Sequence, residues 1–242
     1  MKLAEREINR WMFFTIAGIF LVLIFGAMNW RENRVINKII VKGNETIPDD
    51  IILNLAGVKI GEKFTLVNLS ELRRKVESHK FIKQANVYTN LPDVLLIEVE
   101  ERKPIAMVIF QGKIYYVDYD GYVIPYDDVK RIFSVPLLNL DYKPVNVFAD
   151  SAGALRKQYE LVKLAIEKDV YNLISEVKFK NGEFIIFAGD SAVVVFLGEG
   201  NLDKKFLALK KFWAQEVQGK ASPVYVDLRY EGKIYAKFKS KN

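Results

Sequence analysis

The chain has 242 residues, of which 50% are hydrophobic and 27% are charged, and this length predicts one or two folded domains. The composition is too apolar for a disordered linker, and the lack of cysteine excludes disulfide scaffolds, iron–sulfur clusters and thiol chemistry. The single histidine leaves no His-ligated metal centre, and the modest net charge of +6 does not indicate nucleic-acid binding.

The first predicted element is an uncharged apolar segment from Trp11 to Trp30. A helix of this length spans roughly 30 Å, the thickness of the bilayer core, and its terminal tryptophans suit the headgroup layers. A buried core helix would show a polar stripe, and a cleaved signal peptide would have a shorter apolar region with a small-residue cleavage site. The sequence therefore predicts a transmembrane helix over 11–30 after a tail over 1–10. Basic residues flank both ends, so charge alone does not orient it.

A small α+β unit is predicted over 31–103. Its order is β-α-α-β-β, with the turn Gly43-Asn44 after the first strand and a stop signal at Gly57. The predicted elements are a strand over 35–42, a helix over 48–55, a helix beginning after a capping box of Asn68 and Glu71, and strands over 82–89 and 94–99 joined by a turn over 90–93.

The remainder, 104–242, predicts a mixed and mainly antiparallel β domain with two or more helices. Alternating apolar runs separated by Gly-containing turns indicate the strands, and apolar residues at helical spacing indicate the helices. Strands are expected over 105–110, 114–117, 177–180, 184–187, 192–197, 224–228 and 234–238, and helices over 152–168 and 202–217.

No motif indicates a catalytic centre. His79 follows a helix, where an imidazole usually interacts with free carbonyls. Gly198-Glu199-Gly200 lacks the third glycine of a nucleotide loop and instead fits a strand-to-helix turn with Asn201 as the N-cap. The acidic residues around Asp118 and Asp120 fit a hairpin turn better than a cation site, and Arg73-Arg74-Lys75 fits a solvated helix face. We therefore expect no cofactor, no metal and no small-molecule substrate.

The final predicted strand alternates in polarity from Ile234 to Phe238. At a sheet edge, its free N–H and C=O groups would be a template for a strand of another chain. Lysines commonly protect such edges, and Lys233, Lys237 and Lys239 are placed to do so. From the residues alone, both a protected edge and a binding edge fit.

Five short motifs follow one another along the folded part. They are Val41-Lys42-Gly43-Asn44, Phe81 to Val87 with Leu91-Pro92, Glu101-Arg102-Lys103-Pro104, Val117 to Gly121, and Val226 to Tyr230 with Gly232. In this order they resemble the FtsQ/DivIB family of bacterial cell-division proteins, with Phe81 and Leu91 in place of usual tryptophans. The resemblance implies a POTRA domain over 31–103 followed by the β domain.

The resemblance also implies a non-enzymatic scaffold. Such a protein lies in the cytoplasmic membrane with its N-terminus in the cytoplasm and its folded domains outside, at the division septum. Its β domain binds an FtsB/DivIC and FtsL-type pair, partly by strand addition, and links early and late division proteins to septal peptidoglycan synthesis. The expected partner-binding residues are Arg229, Tyr230, Gly232, Lys233, Ile234, Tyr235 and Ala236. Among them, Arg229 is expected to bind a partner carboxylate through two hydrogen bonds, and Tyr230 is expected to be an apolar anchor.

A second surface for upstream division proteins is expected on the POTRA domain, at Val41, Lys42, Asn44, Ile51 and Leu55, with the transmembrane helix as another contact. Two other functions are compatible with parts of the sequence. One is a POTRA-bearing receptor for protein translocation or outer-membrane assembly, which predicts a downstream series of amphipathic strands instead of two helices. The other is a membrane-anchored enzyme, which requires a pocket with perturbed titratable groups.

Overall fold

The structure is a computed structural model that describes residues 10–90, 92–217 and 221–238. The predicted tail before Arg10, the turn residue Leu91 and the edge residue Lys239 lie outside the described residues. The chain divides into two compact units between Glu101 and Arg102.

The first helix, α1 (Arg10–Glu32), is apolar around its whole circumference. Phe13, Phe20 and Phe25 are each more than 60% exposed. Its segment Met12–Glu32 is long and apolar enough to cross a membrane. Because a helix in water would bury side chains of this kind, α1 fits a single-pass transmembrane anchor.

The first unit also contains a three-stranded sheet with two helices. The central strand β3 pairs in parallel with β1 and antiparallel with β2, giving the order β1-β3-β2. The elements are β1 (Lys38–Lys42), α2 (Asp49–Ala56), α3 (Leu69–Glu77), β2 (Ile82–Asn90) and β3 (Val94–Glu101). This is the predicted β-α-α-β-β order, but β1 starts at Lys38 because Val35 forms an isolated bridge with Lys63.

Local signals set the helix ends in this unit. The helix α2 begins after Pro48 and ends at Gly57, whose φ of +68° is left-handed. The side chain of Asn68 accepts hydrogen bonds from the backbone N–H groups of Ser70 and Glu71, at 3.1 and 3.2 Å. The carboxylate of Glu71 pairs with Lys75. Asn68 therefore caps α3 as predicted.

Two motif residues fasten the loop after β1. Gly43 has a φ of +83°, and a Cβ atom at this position would lie 2.1 Å from the carbonyl oxygen of Val99. The Glu101 carboxylate accepts hydrogen bonds from the N–H groups of Thr46 and Ile47 at 2.8 to 3.0 Å. The loop is therefore held against the end of β3, and only glycine fits at position 43.

The second unit is built on a nine-stranded sheet with the order β12-β11-β10-β9-β8-β7-β4-β5-β6. Its strands are β4 (Pro104–Phe110), β5 (Lys113–Asp118), β6 (Val123–Pro125), β7 (Leu137–Leu138), β8 (Ile174–Lys180), β9 (Glu183–Ala188), β10 (Val193–Gly198), β11 (Pro223–Asp227) and β12 (Tyr235–Phe238). Five of the eight neighbouring pairs are antiparallel. This confirms the predicted α+β class with a mainly antiparallel sheet.

Two helices cover the core of this unit. The helix α4 (Ala154–Glu167) buries Leu155, Tyr159 and Val162, and α5 (Leu202–Phe212) buries Phe206 and Leu209. The helix α5 connects the parallel strands β10 and β11 and continues as a π-helical turn over Trp213–Val217. It therefore supports the strands that end the sheet.

Several details differ from the sequence prediction. The helix α5 ends at Phe212 instead of Val217, and β8 starts at Ile174 instead of Val177. The short strands β6 and β7 were not predicted. The helix α4 starts at Ala154 instead of Ala152, because Gly153 takes a left-handed φ of +74° in front of it. Asn201 stands at the N-cap of α5 as predicted, but its side chain accepts no capping hydrogen bond.

Candidate partner-binding edge of the C-terminal sheet

The last strand, β12, lies at one edge of the nine-stranded sheet. It pairs antiparallel with β11, in a register that sets Tyr235 against Asp227, Ala236 against Val226 and Lys237 against Tyr225. No strand within residues 10–90, 92–217 and 221–238 pairs with its outer side. This edge is therefore open to backbone hydrogen bonding by another chain.

The turn before β12 exposes aromatic side chains. Tyr230 is 56% exposed and its ring packs edge-on against Tyr235, with 5.3 Å between the centroids. Ile234 and Phe238 are also partly exposed, whereas Ala236 packs against the core. An apolar patch of this kind on a sheet edge is typical of a protein-binding surface.

Arg229 is engaged within the chain. Its Nε and Nη2 atoms donate to the two carboxylate oxygens of Asp227 at 2.8 to 3.2 Å, and its Nη1 lies 3.7 Å from Glu183. The guanidinium also lies over the ring of Phe196, and its stem packs on Gly198. Arg229 therefore shapes the turn, and only its exposed side is open to a partner.

These hydrogen bonds shift the pKa values of both Asp227 and Arg229. The hydrogen bonds from Arg229 hold the pKa of the Asp227 carboxyl below its ordinary value of 3.8. The same interaction raises the pKa of Arg229. Both groups are therefore charged throughout the physiological pH range, and the turn keeps this ion pair.

A groove of about 560 Å³ lies beside the turn. It runs between the start of α5, which contributes Asn201, Lys204 and Ala208, and the segment from Leu228 to Ile234. Both Arg229 and Tyr230 line it. The groove therefore extends to Ile234, the residue before β12.

Three hydrogen bonds that the sequence did not reveal fix the backbone around the groove. Lys205 donates through Nζ to the carbonyl oxygens of Leu197 at 2.6 Å and Glu199 at 2.8 Å. Lys233 N–H donates to the carbonyl of Tyr230 at 3.2 Å, and Gly232 between them has a left-handed φ of +69°. The Gly198–Gly200 segment is thus a tied strand-to-helix turn, in agreement with the sequence interpretation.

The predicted POTRA surface is divided between different elements. Val41 and Lys42 lie on the edge strand β1, and Ile51 and Leu55 lie one turn apart on α2. The side-chain amide of Asn44 donates to the carbonyl of Ile47 and to the carboxylate of Asp49, so its donors are used inside the loop. The five residues therefore lie on three separate segments, β1, the loop after it and α2.

The other polar candidates have structural roles. His79 accepts a hydrogen bond at Nδ1 from the N–H of Phe81. Asp118 is only 2% exposed and accepts hydrogen bonds from the N–H groups of Asp120 and Tyr122 and from Arg102 at 2.7 Å. The motif residues Arg102 and Asp118 therefore form a buried ion pair. Among the described residues, no cluster of three or more His, Cys, Asp and Glu side chains could hold a metal ion.

Two family models match consecutive parts of the chain. The model described as "POTRA domain, FtsQ-type" matches residues 34–102, and the model "FtsQ/DivIB, C-terminal related" matches residues 103–236. The chain belongs to the FtsQ/DivIB family. The family suggested by the five motifs is thereby confirmed, and the two matched regions meet where the sequence leaves the POTRA sheet.

Curated relatives support the same assignment over most of the chain. The cell division protein FtsQ of Salinibacter ruber is 26% identical over 90% of this chain and 88% of its own length. That of Geotalea daltonii is 26% identical over 92% and 85%. A solved structure, the major extracytoplasmic domain of DivIB from Geobacillus stearothermophilus, matches at 12% identity and a TM-score of 0.31, over 50% of this chain and 98% of that chain. By the two family models and these curated relatives, this chain is a cell-division protein with a POTRA domain.

Proposed function

We propose that this protein is a non-enzymatic, single-pass scaffold of the bacterial division machinery. It holds an FtsB/DivIC and FtsL-type pair by strand addition to β12 and so connects early and late division proteins to septal peptidoglycan synthesis. The observation that carries the proposal is the open edge of β12 beside a groove that displays Tyr230 and Tyr235. Family membership supplies the setting in cell division.

The membrane location belongs to the same proposal. The helix α1 anchors the chain in the cytoplasmic membrane at the septum, with the N-terminus in the cytoplasm and the two folded units outside. The POTRA unit, through its exposed β1 edge and α2, is the proposed contact for upstream division proteins. Family membership disfavours the translocation receptor, and the tied loops at Asp118 and Gly198 disfavour an enzyme.

The aromatic residues of the turn are the expected anchors of the partner. A partly exposed tyrosine presents a rigid apolar ring with one polar tip, which suits the centre of an interface. The groove is lined by Lys204, Lys205, Arg229 and Lys233 and by two carboxylates, Glu199 and Glu231, and this excess of basic side chains favours a partner segment with acidic residues. Arg229 already donates two of its guanidinium N–H groups to Asp227, so it can hydrogen-bond a partner only from its exposed side. It is therefore a weaker anchor than the sequence alone suggested.

The first test replaces the anchor. Tyr230→Ala should weaken binding of the FtsB/DivIC-type coiled coil by roughly 30-fold, the effect of an interface hot spot, without lowering the melting temperature. Tyr119→Ala is the matched control, because Tyr119 is similarly exposed (52%) but lies in the turn between β5 and β6. Arg229→Glu is less informative alone, because it would place like charges beside Asp227. Equal binding by Tyr230→Ala and the natural chain would refute this site.

The second test detects the added strand itself. Hydrogen–deuterium exchange of the full chain should show new amide protection in 234–238 when the partner is added, because the outward N–H groups of β12 gain acceptors. The strand β6 forms the opposite edge of the same sheet and is the internal control. Protection elsewhere in this unit with unchanged exchange in β12 would exclude strand addition.

A further inference from the structure

A loop of the POTRA unit is bound to the segment that leaves α1. The loop, 57–66, follows α2, and we call it the juxtamembrane loop. The N–H of Phe64 donates to the carbonyl of Arg34 at 3.1 Å, the N–H of Ile36 to the carbonyl of Glu62 at 2.9 Å, and the N–H of Gly61 to the carbonyl of Ile36 at 2.8 Å. Three backbone hydrogen bonds therefore fix this loop to the chain just beyond the anchor.

Side chains reinforce this attachment. The guanidinium of Arg34 lies over two rings, 5.4 Å from the centroid of Trp30 in α1 and 5.2 Å from that of Phe64 in the juxtamembrane loop. Lys63 donates through Nζ to the side chain of Asn33 at 3.2 Å. The loop is thus joined by cation–π and hydrogen-bond contacts to the end of the anchor helix.

The juxtamembrane loop exposes apolar side chains that do not pack in the core of the POTRA unit. Leu66 is 81% exposed and Ile60 is 67% exposed, whereas Phe64 between them is buried. The exposed side chains of Lys59 and Lys63 lie in the same loop as one carboxylate, Glu62, so the loop has a net charge of +1. Apolar tips flanked by lysines are the composition of segments that lie at a lipid surface.

The chain length places the loop close to the bilayer. The helix α1 ends at Glu32, and the loop is bound to residues 34–36. Four residues reach at most about 14 Å, and the headgroup layer beyond the hydrocarbon core is roughly 5 to 7 Å thick. The loop therefore lies within reach of the lipid headgroups when α1 spans the membrane.

We propose that the juxtamembrane loop docks on the lipid surface around the anchor, with Ile60 and Leu66 entering the interface and Lys59 and Lys63 contacting anionic headgroup phosphates. This inference rests on the proposed membrane anchorage of α1. The POTRA unit would then contact the membrane directly through this loop, in addition to being attached to it through α1. A protein partner on the same apolar tips would leave them outside the lipid and is distinguished by the test.

The test uses the full chain in proteoliposomes, where the lack of cysteine permits single labels. Ile60→Cys and Leu66→Cys, each carrying an environment-sensitive fluorophore, are compared with Gln84→Cys in vesicles containing doxyl-labelled phosphatidylcholine. Gln84 is the control because it is exposed and lies far from the anchor. The hydrogen bond from Asn37 to Asp93 places the Val94 end of β3 beside the segment that follows α1. Gln84 pairs with Glu100, which is six residues, or roughly 20 Å, further along β3. Met28→Cys in α1 reports whether the anchor is inserted.

We expect about twofold or greater quenching at positions 60, 66 and 28 and little at 84. Quenching at position 28 without quenching at positions 60 and 66 would refute docking of the loop on the lipid, and it would still support insertion of α1 in the membrane. Absence of quenching at 28 would overturn the proposed anchorage itself. The lysine contribution is tested by replacing neutral phosphatidylcholine with mixtures containing phosphatidylglycerol. Quenching at 60 and 66 should increase with the anionic lipid, and equal quenching in both would refute the phosphate contacts.

Discussion

Gly43→Ala should open the POTRA sheet, and the size of the effect follows from the geometry. The new Cβ atom would lie 2.1 Å from the carbonyl oxygen of Val99, whereas ordinary contact begins at 3.4 Å. The backbone of β1 and β3 must therefore separate locally by roughly 1.3 Å, the difference between these distances. Overpacking of this kind costs about 1 to 3 kcal/mol, and the left-handed φ of +83° adds about 1 kcal/mol for any residue with a side chain.

The matched control is Gly57→Ala. Gly57 has a similar left-handed φ of +68°, but no atom lies within 4 Å of a Cβ placed there. It should therefore lose only the conformational part, about 1 kcal/mol. The difference between the two variants isolates the clash with Val99.

Native-state hydrogen exchange of the full chain measures both effects. The exchange of β3 amides should accelerate roughly 150-fold in Gly43→Ala, for about 3 kcal/mol, and roughly fivefold in Gly57→Ala. Peptides from the unit after Arg102 should be unchanged in both. Equal acceleration in the two variants would show that the close approach to Val99 does not determine the stability effect at position 43.

Variants at three further positions test the contacts described above. Asp118→Ala should lower the unfolding free energy of the second unit by about 3 to 5 kcal/mol in urea denaturation, because Arg102 keeps a buried charge without its partner; a loss below 1 kcal/mol would contradict this. Asp227→Asn should cost most at neutral pH. The folded-state pKa of Asp227 lies below its unfolded value near 3.8, so the carboxylate adds stability above that value and loses it as the pH falls through the folded pKa. Melting curves of the two chains should therefore converge in acid, and a constant gap would exclude the Arg229 pair as the cause. Asn68→Ala should cost about 1 kcal/mol, read as faster amide exchange in α3, and Asn68→Ser should restore most of it.

Much of the POTRA unit could be predicted because its signals are local. Asn68 caps a helix with hydrogen bonds to residues two and three positions later, and Gly57 ends a helix through its own φ. Such contacts depend on neighbours in the sequence, so residue type and spacing suffice. The start of β1 could not be predicted, because Val35 bridges to Lys63 across the unit.

The strand β7 shows why part of the second unit could not be predicted. It has two residues, Leu137 and Leu138, and periodicity has no meaning over two positions. Its existence depends on parallel pairing with Met107 on one side and Glu176 on the other, contacts between distant parts of the chain. Only the tertiary structure brings these three strands together.

At the candidate site, alternation in the sequence predicted the last strand, and its edge position agrees with the topology. The engagement of Arg229 with Asp227 was missed, although the Asp-x-Arg spacing at the end of a strand signals that both side chains share one face. The groove could not be predicted from the sequence, because it forms only when the start of α5 lies beside the turn after β11.

The four described residues of β12, Tyr235–Phe238, bear on how firmly the proposed partner is held along them. Only alternate residues of a strand direct their backbone groups outward, so these four residues offer about four outward hydrogen bonds. At a net value near 1 kcal/mol each they give roughly 4 kcal/mol, about half of what a micromolar complex requires. In the proposed complex, backbone pairing along these residues is therefore reversible by itself, and we expect the contacts of Tyr230 and Tyr235 to set the residence time. A partner bound in the proposed way would exchange during the lifetime of an assembly, without unfolding of this chain.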